Sequence, residues 1–209
     1  MTTPRFSFAI SGLKVWVVCF FCLLGCNRPD PLPVLGPYEK LDGNKIYHPV
    51  PDFQLLDQNG DTVSTASLKG KLRIVDFFFT SCPSICPKVQ LQMLKIREAF
   101  PAEEQLVLLS YSIDPKRDTV ERLLHYATNL GITDARKWHF LTGDRQQIYD
   151  LADDYFNIVV EDASAPGGFD HSGRIVLVDT AGYIRAYANG LNPASVDTLL
   201  EDIQQLLNK

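Results

Sequence analysis

Apolar residues fall along this chain in two rhythms. Between Leu72 and Phe79 they run almost without a break, and they do so again from Leu106 to Ile113. A strand covered on both faces reads this way, whereas a half-exposed strand alternates. Elsewhere the spacing is helical: Val89, Met93, Ile96 and Phe100 mark one face of a helix over 87–100. Asp118 with Glu121 predicts a capping box for a helix over 119–130, and Asp144 with Gln147 predicts another for 145–155. Trp138–Leu141 reads as a short strand. Phe53–Val63 reads as short extended pieces around the turn Asp57-Gln58-Asn59-Gly60. Ile175–Val178 and Tyr183–Tyr187 flank Thr180-Ala181-Gly182 and predict a hairpin. Asn192 caps a last helix, with Pro193 at its first position and Leu199, Ile203 and Leu206 on one face. Three strand–helix units followed by strand–strand–helix predict an α/β domain with a parallel or mixed sheet under helices.

The first residues break this pattern. Arg5 and Lys14 precede the apolar run 15–24, which is short for a bilayer span and suited to the core of a signal peptide. The run ends in Leu23-Leu24-Gly25-Cys26, which resembles a bacterial lipobox, in which the cysteine is acylated and becomes the first mature residue. We therefore expect a signal peptide over 1–25 and lipid on Cys26. Residues 26–46, with Pro29, Pro31, Pro33 and Pro37, are expected to form an extended membrane tether, and 47–209 the folded domain. The expected location is the exported side of a bacterial membrane, held by lipid.

Composition narrows the function. The 209 residues are 45% hydrophobic and 11% aromatic, ordinary for a protein with a real core. Net charge is −5 with no basic cluster, which argues against nucleic acid. Residues 1–25 hold two of the 20 basic residues and none of the 25 acids, so without them the balance is −7. Of five cysteines, Cys19 and Cys22 belong to the leader and Cys26 to its processing site. Cys82 and Cys86 remain, a single close pair in a compartment where thiols are usually oxidised. One such pair is not a disulfide framework.

The pair stands in Phe79-Thr80-Ser81-Cys82-Pro83-Ser84-Ile85-Cys86-Pro87, at the end of the first long strand. Pro87 disfavours helical geometry at Cys86 and suits a first helical position, so the helix should start at or just after Cys86. The positive end of that helix is expected to lower the thiol pKa values. Thiolate is both nucleophile and metal ligand, so a soft-metal site and a dithiol–disulfide cycle both remain open. Copper(I) accepts three ligands, and imidazole is a compatible third. His125 reads as a surface or packing residue of a helix, His139 as a core or edge residue, and His48 as a residue of the domain entrance. His171 lies in the glycine-bracketed loop 167–173, where it is either an exposed loop residue or a ligand on a movable segment. Asp76, six residues before Cys82, is either a buried proton acceptor for the thiols or a partner of Arg73. A structural zinc site wants four ligands where three candidates exist. A methionine-rich copper store is excluded, since Met93 is the sole methionine beyond the start. A peroxidatic Pro-x3-Thr-x2-Cys pattern fails at Val75 and Phe79.

The cysteine block, then Ser112-Ile113-Asp114-Pro115-Lys116-Arg117-Asp118-Thr119, then Asp170-His171-Ser172 before a strand, resembles the Sco/SenC family from about Pro51 to the C-terminus. The resemblance implies a thioredoxin-like fold and a membrane-tethered copper chaperone for cytochrome c oxidase. It implies one copper ion (Cu+ or Cu2+) held by Cys82, Cys86 and His171. The expected acceptor is the dinuclear copper site of oxidase subunit II. A thiol reductant and an upstream copper donor are the further partners. Asp114 matches a common family aspartate beside the metal, with a turn after the strand as its other reading. Family members often carry an acid or amide where this chain has Ser84. The alternative function is an exported thiol-disulfide oxidoreductase, with Cys82 and Cys86 as the redox pair and Asp76 as proton acceptor. Three residues rather than two between the cysteines, and no Trp before Cys82, weigh against it.

Overall fold

The computed structural model describes residues 31–156, 159–161, 164, 167 and 169–208, with backbone alone at 159–161, 170 and 171. The expected signal peptide and Cys26 lie outside the described residues. Among those residues, no helix is long and apolar enough to cross a membrane.

Two fully buried strands make the centre. They are β5 (Leu72–Phe78) and β6 (Leu106–Ser112), paired in parallel with Asp76 opposite Ser110 and Phe78 opposite Ser112. β7 (Trp138–Leu141) adds in parallel to β6. On the other side β10 (Arg174–Val178) runs antiparallel to β5, and β11 (Ile184–Asn189) antiparallel to β10. The sheet order is β11-β10-β5-β6-β7. This is the expected thioredoxin-like arrangement, a mixed sheet between helices with a C-terminal hairpin and helix.

Side chains two apart share a face of a strand. One face carries Asp76, Phe78, Ser110 and Phe140. It is covered by α1 (Cys86–Ala99), whose Val89, Met93 and Ile96 are buried, and by α2 (Val120–Asn129). Tyr126 of α2 lies 5.3 Å from the Phe78 ring and 5.7 Å from that of Phe140. α4 (Pro193–Leu207) lies beside α1, joined to it by the ion pair of Lys95 with Asp197. The opposite face holds Phe77 stacked on Tyr111 at 5.1 Å. Phe53 and Tyr155, the latter just after α3 (Arg145–Asp154), close around them.

The first turn signal does more than reverse the chain between β3 (Gln54–Leu56) and β4 (Thr62–Ser64). Asp57 Oδ1 accepts the Asn59 and Asp61 amides. Gln58 is buried, donating to the Trp138 carbonyl and accepting the Phe140 amide, so one side chain completes edge strand β7. Asp57 also pairs with His139 at 3.0 Å, which gives that histidine its edge role.

Three local readings change. The second half of the expected tether is folded: β1 (Tyr38–Leu41) and β2 (Asn44–Tyr47) pair as a hairpin. Before it, the Leu35 amide bonds the Ile184 carbonyl at 2.8 Å, and Arg185 holds the carbonyls of Leu32 and Pro33. Prolines suggested an extended run, but the chain behind them carries partners for its backbone. A second hairpin, β8 (Val159–Glu161) with β9 (Phe169–His171), stands outside the central sheet. Finally, Thr119 rather than Asp118 caps α2, accepting from the Arg122 amide, because Asp118 is buried elsewhere. Asp144 does cap α3, through the Gln147 amide.

Arg73, in β5, is 3% exposed, and its Nε and Nη1 have no hydrogen-bond partner among the described residues. Nor does it pair with Asp76, which points to the other face. A buried charge without a partner costs more than a well-packed apolar group. Arg73→Met should therefore raise stability, by about 1–4 kcal/mol. A urea midpoint lower than that of the parent would contradict this.

Candidate metal centre

The thiols lie where β5 ends and α1 begins. Ile85 precedes α1 as its cap and Pro87 lies in the first turn, so Cys86 is itself the first helical residue despite the proline after it. The Cys82 amide bonds the Phe79 carbonyl at 3.2 Å, turning the chain back on the strand end. The Cys86 amide then points at Cys82 Sγ, 3.4 Å away. Ser84 Oγ lies 3.8 Å from the same sulfur. The two cysteines are not joined by a disulfide, and Cys82 is 8% and Cys86 1% exposed.

The expected lowering of the pKa is reversed at Cys86. Its hydrogen bond with the Cys82 side chain and its burial push the thiol far above its ordinary range. The charges of Cys82 and Asp76 act in the same direction, and a backbone hydrogen bond with Phe79 works against them. An N-terminal helix charge contributes about a kilocalorie, and burial among other acids outweighs it.

Asp76 lies beneath this turn and is fully buried. Gln90 Nε2 donates to Oδ2 at 2.7 Å, and Ser110 Oγ donates to Oδ1 at 2.5 Å. Trp138 Nε1 in turn donates to Ser110 Oγ at 2.9 Å. Gln90 is one helical turn after Cys86 on the same buried face, so Asp76 is fastened to the turn that carries the second thiol.

A second buried carboxylate holds the loop before the first thiol. Asp118 Oδ2 accepts the Thr80 amide at 3.0 Å and the Ser112 hydroxyl at 2.6 Å, and Oδ1 accepts the Thr80 hydroxyl at 2.5 Å. Arg122 approaches from outside, with Nε 3.5 Å from Oδ1. Asp114 is engaged in its own turn, with Arg117 Nη1 on its carboxylate at 3.1 Å and its amide on Ser112 Oγ. Tyr126 closes the site from α2. Burial, and then the charges of Cys86, Asp76, Cys82 and Asp118, raise its hydroxyl pKa.

The segment leading to His171 packs on the thiol loop. The Phe169 ring lies 5.1 Å from that of Phe79. Gly167 has φ +84, and a Cβ there would come within 2.6 Å of the Phe79 ring and 3.4 Å of Pro83. Only glycine fits that close approach and that backbone together. At His171 the backbone is described, as the end of β9 opposite Val159. His48 pairs loosely with Glu39 at 3.9 Å, and His125 bonds Asn129. Among the described residues, no three His, Cys, Asp or Glu side chains form a metal cage.

Reading the sequence missed Asp118, Gln90, Ser110 and Tyr126 as parts of the site. A signal existed for Ser110. Ser110 and Ser112 are two apart in an otherwise apolar strand, on the face that Asp76 occupies in its neighbour.

Comparison with known proteins gives one family. The model of the SCO1/SenC family matches residues 43–208. The structure resembles a SCO1/SenC family lipoprotein from Bacillus anthracis str. Ames, with TM-score 0.68 and 26% identity over 76% of this chain and 95% of that one. It resembles BsSco, a member of the Sco family of cytochrome c oxidase assembly proteins in which a disulfide switch has been identified. There the TM-score is 0.66 and the identity 29%, over 76% and 93% of the two chains. It also resembles Bradyrhizobium japonicum ScoI with copper bound, with TM-score 0.62 and 26% identity over 74% and 98%.

Two outcomes follow from this geometry. Asp118→Ala leaves the buried Ser112 hydroxyl and the part-buried Thr80 amide and hydroxyl without this acceptor, so stability should fall by about 3 kcal/mol. The Thr80 amide should exchange faster; unchanged exchange there would remove Asp118 from the loop's support. Iodoacetamide at pH 7.5 should modify Cys86 at least about tenfold more slowly than Cys82, because its thiol stays protonated well above that pH. Peptide masses over time would show the order.

Proposed function

The chain belongs to the SCO1/SenC family, and on that footing we propose that it is a membrane-tethered copper chaperone in cytochrome c oxidase assembly. Cys82 and Cys86 supply two sulfurs from one turn, and His171 supplies nitrogen from the β8–β9 hairpin. One copper ion is the cargo. It passes to the dinuclear copper site of oxidase subunit II by exchange of one soft ligand for another. An upstream donor loads the site, and a thiol reductant keeps the pair reduced. Lipid on Cys26, after removal of 1–25, holds the domain on the exported side of a bacterial membrane.

One observation carries this reading: two unbridged cysteines share a turn on which the approach to His171 is packed through Phe169 and Gly167. Two thiolates and an imidazole make a donor set suited to copper and short of the four ligands of structural zinc. A second reading, a thiol-disulfide oxidoreductase, is favoured by Asp76, a buried carboxyl group tied through Gln90 to the turn of Cys86.

Protein purified without air separates the two. The chaperone should take up about one copper per chain with two titratable thiols in the domain, and Cys82→Ser should abolish stoichiometric uptake. His171→Ala should weaken binding less than Cys82→Ser does. Saturating copper at 100 times its dissociation constant should add roughly 2.7 kcal/mol to stability, since the ligands gather only in the folded chain. Stoichiometric copper on Cys82→Ser would overturn the assignment. Metal-free protein that rapidly reduces disulfides would favour the oxidoreductase.

A further inference from the structure

The β1–β2 ribbon stands outside the central sheet, with all of β1 and three of four residues of β2 exposed. Its register sets Tyr38 opposite Tyr47 and Lys40 opposite Lys45. Alternation then puts all four on one face. The tyrosine rings lie 5.6 Å apart, and Lys45 Nζ is 4.4 Å from the Tyr38 ring. Like charges directly opposite weaken a ribbon. Here two lysines face each other with no carboxylate partner among the described residues, in a protein whose net charge is negative.

We propose that this face docks on the anionic headgroup surface of the membrane to which the chain is anchored. The inference rests on the anchor at Cys26. Leu35, which is pinned to β11, lies nine residues after Cys26, and at full extension that stretch spans about 30 Å. The ribbon starts three residues later, within reach of the headgroups. Tyrosine suits the boundary between water and acyl chains, and paired lysines are drawn to anionic lipid. The acidic remainder of the domain is repelled by the same surface, so one face is selected.

This docking has a consequence for the thiols. The ribbon is fastened near the β10–β11 turn, through Leu35 on Ile184 and Val50 on Gly182. Val178, at the start of that turn, pairs with Arg73 near the beginning of β5, whereas Cys82 follows its end. Docking the ribbon therefore turns the thiol end away from the bilayer.

Hydrogen exchange of the full chain on vesicles tests this. Amides of 38–47 should exchange at least about fivefold more slowly on phosphatidylglycerol vesicles than on neutral phosphatidylcholine. Lys40→Glu with Lys45→Glu should remove that difference and leave the β5 and β6 amides unchanged. Equal exchange on both lipids, or protection that survives charge reversal, overturns the proposal. Protection that follows protein density rather than lipid charge assigns the face to a second copy and overturns it too. The mass of the N-terminal peptide reads the anchor separately. A chain that keeps 1–25 defeats the Cys26 reading, while the exchange still scores the face, because the apolar run 15–24 holds the chain on the vesicle.

Discussion

A carboxyl group can be buried only if its oxygens are occupied, and two aspartates meet that condition by fastening the thiol loop to the sheet. Asp76 joins β5, β6 and the first turn of α1 through Ser110 and Gln90. Asp118 joins the loop after β5 to the end of β6 through Thr80 and Ser112. Both devices depend on the parallel register of β5 and β6, which sets Asp76 opposite Ser110 and Phe78 opposite Ser112. A slip of one residue would turn both serines to the far face and leave each carboxylate short of a donor. The register that packs the core is thus the register that holds the site.

The protonation of Cys86 is a contest in which its hydrogen bond with Cys82, and then its burial, outweigh the helix end. The end of α1 offers partial positive charge, worth about 0.3–1 kcal/mol and at most about 2. Against it stand the hydrogen bond with Cys82, desolvation and the charges of Cys82 and Asp76, and each pKa unit they add is about 1.4 kcal/mol. Cys86 is therefore held as a thiol rather than a thiolate. A thiol held protonated in this way resists alkylation and oxidation, which begin at the thiolate.

Much of this was legible in the sequence because the signals were local and redundant. The continuous apolar runs gave β5 and β6, helical spacing gave α1, and Asn192-Pro193 marked the start of α4. What failed was anything requiring knowledge of where a polar residue points. Asp118 fits a capping box by spacing, and only the fold shows that Thr80 reaches it first, leaving Thr119 as the cap. A pairing of Arg73 with Asp76 was one of two open readings because they are close in sequence, but three residues along a strand put them on opposite faces. The prolines of 29–37 suggested an extended run, and the hairpin behind them is too short and too polar to leave a periodic signal.

The site divides into a rigid part and a part carried separately. The thiols sit at the carboxyl end of a central parallel strand, where chains leave a rigid sheet and loops gather. Their loop is held on two sides by buried carboxyl groups, so the distance between the sulfurs is set by the core. The approach to His171 comes on a two-stranded hairpin that, among the described residues, shares no rung with the central sheet and meets the thiol loop through Phe169 on Phe79 and Gly167 beside Pro83. Such a hairpin can shift without breaking a hydrogen bond of the core. Transfer of a soft ion by ligand exchange needs that asymmetry. One side must keep hold while the other yields a position to the incoming ligand, and the side that yields should be the one whose displacement costs the fold least.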